Sequence, residues 1–178
     1  FEYVSPSATT TGIAAAFDVA TQTTQVIVSG SGFTSPAELI LDGVKQTFVS
    51  ATDTSAIFTV TSFETQTPLK VKFYLLKDPN GASAVANPSL KINPTLISLT
   101  PAVGSAAGTV VKVTGSGFGS LTTTLNLWGS ASGNVCSKTT YVSSGSFLCT
   151  TNAVVLAAGE LKLNVGNAQN SAADTTLT

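Results

Sequence analysis

The chain contains 178 residues, of which 43% are hydrophobic and 10% are charged, with a net charge of −1 and no histidine. All eight basic residues are lysines and they are scattered, which argues against nucleic acid or an anionic membrane surface as a partner. No apolar stretch approaches the roughly 20 residues of a membrane helix, and the absence of Met predicts a start inside a longer product or after a removed leader.

Strand-forming residues dominate the composition. Ser and Thr supply roughly a quarter of the chain, and Val, Leu, Ile and Ala supply most of its apolar residues. Branching at Cβ makes Thr and Val favour strands over helices. Apolar and polar residues alternate from Leu69 to Leu75 and from Leu161 to Val165, which is typical of antiparallel strands with one buried face. No segment shows a helical stripe, so we predict an all-β fold.

The first residues are predicted to form contact strands. Phe1, Tyr3 and Val4, together with residues 175–178, lie where exposed strand edges would pair with copies of the same chain. Three consecutive threonines follow, and a second such cluster occurs later in the chain. We interpret both clusters as solvent-facing strand or loop positions, with carriers of O-linked sugars as the alternative. These residues are Thr9, Thr10, Thr11, Thr122, Thr123 and Thr124.

A Gly-Ser-Gly-Phe motif ends a strand-like segment at residues 28–33 and recurs at residues 113–118. It lacks the Lys-Ser/Thr ending of a phosphate-binding loop and the third glycine of a dinucleotide fingerprint, and no helical pattern follows it. We therefore interpret it as a turn in which glycines at positive φ let the chain leave a strand and the phenyl ring closes the end of the core. The residues are Gly30, Gly32, Phe33, Gly115, Gly117 and Phe118.

The recurring motif belongs to an internal repeat. Three other blocks recur in the same order at an offset of about 85 to 95 residues, which is typical of a duplicated domain. These blocks pair residues 3–6 with 98–101, 39–43 with 125–129, and 68–73 with 160–165. We predict two tandem immunoglobulin-like β-sandwich domains, residues 1–93 and 94–178, joined by a short, semi-rigid connector that contains proline.

The second predicted domain resembles a known family. Residues 97–118 begin with an Ile and a Pro, continue through a Gly-x-x-x-Gly turn, and end in Gly-x-Gly-Phe, a combination similar to the opening of an IPT/TIG domain. Residues 159–165, a glycine before an alternating apolar run, resemble the closing strand of that family. The resemblance implies an E-set immunoglobulin-like sandwich of the kind found in receptor ectodomains, surface proteins, some transcription factors and accessory modules of sugar-processing enzymes.

The first predicted domain departs from the family pattern. It keeps Pro6 and the Gly30–Phe33 turn, but it has about ten more residues between them and lacks the Gly-x-x-x-Gly turn. We therefore predict a second IPT/TIG copy with an N-terminal insertion at about residues 12–22 and no cysteine.

Cys136 and Cys149 are the two cysteines, and their spacing resembles the Cys pair of extracellular IPT/TIG domains. The resemblance implies a disulfide, which would place the chain outside the cytosol and stabilise it by roughly 3 kcal/mol. Two cysteines without histidine cannot assemble the ligands of a zinc site, and a redox pair would need Cys-x-x-Cys. Two separate buried thiols remain the alternative.

Trp128 is the only tryptophan, and it corresponds to Asp42 in the repeat, which favours an exposed position. We interpret it as packing on an edge strand. The alternative is a contact surface on which Trp128 stacks on a sugar ring or anchors a partner protein.

Catalysis has little basis in this sequence. Its nine carboxylates are spread without a near pair, a Ser nucleophile would lack both histidine and a Ser-x-x-Lys run, and no acidic cluster suits calcium. We expect no enzymatic activity, cofactor or metal. The leading hypothesis is an extracellular or cell-surface structural or adhesive segment, such as a filament subunit, that associates with itself or another extracellular protein. The alternatives are a receptor ectodomain module that binds a protein or glycan, and an accessory module of a carbohydrate-active enzyme.

Overall fold

The structure is a computed structural model that describes residues 8–33, 36–64, 69–75, 90–101, 108–120, 125–129, 133–152, 161–167 and 170–177. Within these ranges the chain forms fifteen strands joined by turns and bends, and there is no helix. Every pair of neighbouring strands is antiparallel. The all-β prediction is therefore confirmed.

The N-terminal half contains two sheets that face each other. Its strands are β1 (Thr9–Asp18), β2 (Thr23–Ser31), β3 (Ala37–Leu41), β4 (Val44–Lys45), β5 (Thr47–Ala51), β6 (Ser55–Thr59) and β7 (Val71–Leu75). One sheet has the order β1-β2-β6-β5, and the other has the order β4-β3-β7. Phe58 from the first sheet and Phe73 from the second meet edge to face in the core, with ring centroids 6.2 Å apart. Alternating apolar residues drive this arrangement because they line one face of each strand.

Among the described residues, the C-terminal half repeats this order and has one more strand. Its strands are β8 (Thr95–Thr100), β9 (Val110–Ser116), β10 (Asn126–Gly129), β11 (Gly133–Asn134), β12 (Cys136–Ser143), β13 (Ser146–Thr151), β14 (Leu161–Asn167) and β15 (Asn170–Leu177). The sheets have the orders β8-β9-β13-β12 and β11-β10-β14-β15. A separate buried cluster fills this half, in which the rings of Phe118 and Phe147 meet edge to face at 5.0 Å.

The first strand pair of each half has the same register and a bulge at the equivalent position. Thr9 lies opposite Ser31 in one half and Thr95 lies opposite Ser116 in the other, and in both pairs the register shifts within the next three residues. Residues 12–18 belong to β1 and residues 19–22 form its hairpin turn. The segment predicted as an insertion, residues 12–22, thus consists of a strand and its turn, and its status as an insertion stays a prediction because residues 102–107 of the other half lie outside the described ranges.

Candidate contact sites

The two Gly-Ser-Gly-Phe turns have the same geometry. A side chain at Gly30 would overlap the main-chain oxygen of Thr9 and the ring of Phe33, and Gly115 has the equivalent neighbours in its own half. The next glycine of each turn has positive φ, 70° in the first turn and 73° in the second. The phenyl ring that follows is buried in both turns. The motif therefore allows a strand to end against its neighbour while its phenyl ring closes the core.

Main-chain donors of these turns are used within the protein. The N–H of Phe33 donates to the oxygen of Asp53 at 3.0 Å, and the N–H of Phe118 donates to the oxygen of Ser144 at 3.0 Å. In the same way, the N–H of Gly30 donates to the oxygen of Thr54 at 2.9 Å, and the N–H of Gly115 donates to the oxygen of Gly145 at 2.8 Å. These four donors point at carbonyl oxygens, which is the opposite of a phosphate cradle, where they would face an anion.

Cys136 and Cys149 form a disulfide between β12 and β13, with Cα atoms 5.3 Å apart. Cys149 is fully buried and Cys136 is 5% exposed, and both belong to the core of the C-terminal half. The disulfide prediction is confirmed, and the alternative of separate thiols is wrong. Because the bond joins neighbouring strands next to Phe147, it stabilises the sheet as well as closing a loop.

Trp128 lies on β10, an inner strand. It is opposite Asn134 on β11 and opposite Asn164 on β14. The prediction of an edge strand is wrong, because β11 pairs with one side of β10 and β14 pairs with the other.

The remaining predicted contact residues lie partly outside the described ranges. Thr9, Thr10 and Thr11 begin β1, which is an outer strand, and the first and third are exposed while the second is half-buried. The predicted contact and sugar-carrying residues that lie outside the described ranges are Phe1, Tyr3, Val4, Thr122, Thr123 and Thr124.

Each outer strand of the two four-stranded sheets that hold the Gly-Ser-Gly-Phe turns carries a bulge. The register shifts within β1, β5, β8 and β12. Val49 and Val142 are the extra residues of two of these bulges, and they are 49% and 55% exposed. A bulge interrupts the row of main-chain groups that an incoming strand would need, so these edges present side chains more readily than backbone.

Two carboxylates in turns have shifted pKa values. The hydroxyl of Thr21 donates to Asp18 at 2.7 Å and the N–H of Ala20 donates at 3.1 Å, and these bonds hold the pKa of Asp18 below its usual value. Burial raises the pKa of Asp42, whose Oδ1 accepts the N–H of Lys70 at 2.8 Å. The other oxygen of Asp42, Oδ2, is shielded from solvent and has no hydrogen-bond partner.

The charged side chains do not converge. In the part of the chain that the structure describes, no three His, Cys, Asp or Glu residues lie close enough together to hold a metal ion. A helix long and apolar enough to cross a membrane is likewise missing from those residues.

Paired antiparallel sheets around a core, with this strand order, define an immunoglobulin-like sandwich in the C-terminal half. Residues 94–178 match the family model described as the IPT/TIG domain. The match comprises a single copy and leaves the N-terminal half outside it.

None of the curated protein sequences matches the chain. Among solved structures, the chain is similar to one described as "Plexin A4 full extracellular region, domains 1 to 10". The two are 16% identical with a TM-score of 0.32, and the aligned region covers 82% of this chain and 13% of that one. The chain therefore corresponds to a small part of that structure's length.

Proposed function

We propose that the chain is a tandem pair of IPT/TIG-type sandwich domains, residues 1–93 and 94–178, that serves as a structural or adhesive segment outside the cell. The observation that carries the proposal is the repetition of one sheet design: β1-β2-β6-β5 in one half and β8-β9-β13-β12 in the other. The Gly-Ser-Gly-Phe turns end equivalent strands of both sheets with equivalent hydrogen bonds.

The disulfide supports an extracellular location. Cys136 and Cys149 are paired inside the core, and such bonds persist in oxidising compartments. The N-terminal half has no cysteine, so its stability comes from its apolar core, including Phe33, Phe58 and Phe73.

The exposed surface suits contact through side chains. Val19, Val49, Val110 and Val142 are each about half exposed or more, and hydroxyl-bearing residues surround them in the sequence. Because the outer strands are bulged, we propose that self-association uses these side chains or the ends of the sandwiches, and that it does not extend a sheet across molecules.

Sedimentation velocity over a roughly hundredfold range of concentration, with negative-stain microscopy of the same samples, tests the proposal. We expect larger species that grow with concentration, and we expect Val49→Ser with Val142→Ser to reduce them. Thr140→Ser, at an exposed position on the same strand as Val142, is the matched control. A monomer at all concentrations that forms no filaments contradicts self-assembly. Capture of a protein or glycan that is lost in Trp128→Ala would instead support the receptor-module alternative.

A further inference from the structure

The two halves meet along a buried seam. The N-terminal half contributes Thr24, at the start of β2, and residues 60–63, which follow β6. The C-terminal half contributes residues 116–120, which contain its Gly-Ser-Gly-Phe turn, and residues 141–144 of β12 and the turn after it. We use the word seam for these four segments.

Hydroxyl groups make the central contact of the seam. Thr24 Oγ1 and Ser116 Oγ lie 2.6 Å apart, and both residues are buried, at 3% and 5% exposure. Beside them, the N–H of Ser120 donates to the main-chain oxygen of Phe63 at 2.9 Å. A buried hydroxyl that lost its partner would leave a polar group without a hydrogen bond, so separation of the halves has a cost unless water enters.

Two further hydrogen bonds join residues 60–63 to residues 141–144. The hydroxyl of Ser144 donates to the main-chain oxygen of Val60 at 3.1 Å. The hydroxyl of Tyr141 donates to Ser62 Oγ at 3.3 Å. The N-terminal half is thus held both by residues 116–120 and by residues 141–144. These two separated contacts oppose rotation of one half against the other, whereas a single contact would act as a pivot.

Gly117 packs closely against the connector and against Thr24 of the N-terminal half. A Cβ placed on it would lie 2.7 Å from the main-chain oxygen of Asn93 and 3.1 Å from Thr24 Oγ1. Its φ of 73° also favours glycine. No other residue type fits here without moving the connector or the opposite half.

The connector itself is held by both cores. Leu90 and Ile92 belong to the core of the N-terminal half, and Leu96 belongs to the core of the C-terminal half. Only residues 93–95 remain between the two anchored segments, and Pro94 among them is buried. A hinge motion would have to pull an apolar side chain out of one core or the other.

Among the described residues, the first Gly-Ser-Gly-Phe turn has no other half of the chain packed against it, so it shows the same motif without that contact. Ser31 and Asp53 occupy the places of Ser116 and Ser144, and both are exposed. The turn therefore does not shield these positions by itself; in the second copy, which contacts the N-terminal half, Ser116 is buried and Ser144 is half-buried.

We propose that the second Gly-Ser-Gly-Phe turn is a fixed joint that holds the two sandwiches in one relative orientation, so that the chain is a rigid two-domain strut. The inference rests on the proposed structural function and extends it by saying what keeps the two halves in one relative orientation. It concerns a single molecule, so it stands or fails separately from self-assembly.

Distance measurements between two spin labels test the joint. Lys72→Cys and Lys112→Cys place one label on an exposed strand position in each half, and the native cysteines stay unreactive in their disulfide. Double electron–electron resonance should give one narrow distance distribution for the otherwise unchanged chain. Ser116→Ala combined with Tyr141→Phe and Ser144→Ala should widen or split it. Ser31→Ala combined with Asp53→Ala alters the equivalent turn without touching the seam, and it should leave the distribution unchanged.

A second pair of variants separates the seam from backbone strain. Gly117→Ala and Gly32→Ala place Ala at nearly the same positive φ, 73° and 70°, and the first of these positions packs against Asn93 and Thr24. We expect Gly117→Ala to widen the distribution and Gly32→Ala to leave it narrow. A broad distribution in the otherwise unchanged chain overturns the proposal, and so does an unchanged width in both the triple variant and Gly117→Ala.

Discussion

Phe58 and Cys149 occupy the same position in the two repeated four-stranded sheets. Phe58 lies opposite Val26, and Cys149 lies opposite Val111. Each of these valines comes four residues before the first glycine of its Gly-Ser-Gly-Phe turn. One half therefore fills this core position with an aromatic ring, and the other half fills it with a disulfide.

The surroundings of the two residues explain why either solution works. Phe58 contacts Phe48 and Phe73 edge to face, at centroid distances of 5.7 and 6.2 Å. Cys149 instead bonds Cys136, on the strand equivalent to that of Phe48. A cluster of rings buries more apolar surface, whereas a covalent bond limits the unfolded chain, and both raise the free energy of unfolding.

Removal of the disulfide should weaken the C-terminal half. We expect Cys136→Ala with Cys149→Ala to lower the free energy of unfolding by about 3 kcal/mol, because a closed loop of this size is released in the unfolded state. Urea titration monitored by fluorescence measures the change. Phe58→Ala should cost about 3 to 5 kcal/mol in the other half and should remain equally costly in the presence of a reductant. An unchanged unfolding midpoint in the double alanine variant would show that the bond adds nothing.

Glycine at the first position of each turn should be required for stability. Gly30→Ala and Gly115→Ala each push a methyl group onto a main-chain oxygen and a buried ring, so we expect a loss of about 1 to 3 kcal/mol or more. Gly12→Ala is the matched control, because nothing lies within 4 Å of a Cβ at that position in the neighbouring strand. It should be neutral or slightly stabilising. Equal melting temperatures for all three variants would refute the close approach.

Gln46 braces a buried corner that the sequence pattern did not single out. Its side chain donates to the oxygens of Val44 and Ser62 at 2.7 and 2.8 Å, and it accepts the N–H of Thr61 at 2.9 Å. We expect Gln46→Glu to destabilise the fold by about 2 to 4 kcal/mol when ionised, because a carboxylate would face two carbonyl oxygens. The loss should shrink as pH falls and the carboxyl group gains a proton. Gln46→Met, which cannot titrate, should show a loss that does not vary with pH in thermal melts from pH 3 to pH 8.

Asp42 and Asp18 should give opposite pH dependences. The pKa of Asp42 is raised by burial in the folded state, so its stabilising contribution is full below the unfolded pKa and is lost as pH rises through the folded value. Asp42→Asn should therefore be more stable than the unchanged chain at neutral pH, with the advantage fading in acid. Asn also tolerates the φ of 47° found at this position.

The pKa of Asp18 is lowered by the hydroxyl of Thr21 and the N–H of Ala20, so its contribution is present above the unfolded pKa and is lost as pH falls through the folded value. Asp18→Asn should be less stable at neutral pH and equal to the unchanged chain in strong acid. Melting temperatures of both variants across this range test the two signs, and a parallel offset at every pH would contradict them.

Several elements could be predicted because their physical cause is local. Alternation predicts the strand that contains Phe73, and the Gly-Ser-Gly-Phe motif predicts a turn, since both depend on residues within a few positions of each other. The cysteine pair is identified by its family-like spacing. The sandwich fold of the C-terminal half follows from the IPT/TIG resemblance.

Other features depend on contacts that leave little local trace. The seam is built from Thr24, Ser116 and Ser144, and in a chain with so many hydroxyl residues their positions do not differ from any others. Bulges shift the register by one residue without a distinct residue type, so the sequence does not reveal where they occur. Trp128 is on an inner strand because β14 pairs with one side of β10 and β11 pairs with the other, and β11 is only two residues long, too short for alternation to reveal.

Because the disulfide is buried, the rate of its reduction reports how often the strands around it separate. With Cys149 fully enclosed and Cys136 nearly so, a reductant in the medium reaches the sulfur atoms only in molecules whose β12–β13 pair has separated. The rate at which free thiols appear should then level off as reductant is added, at a value equal to the opening rate of this strand pair. Reduction of this bond thereby measures the opening rate of the domain around it.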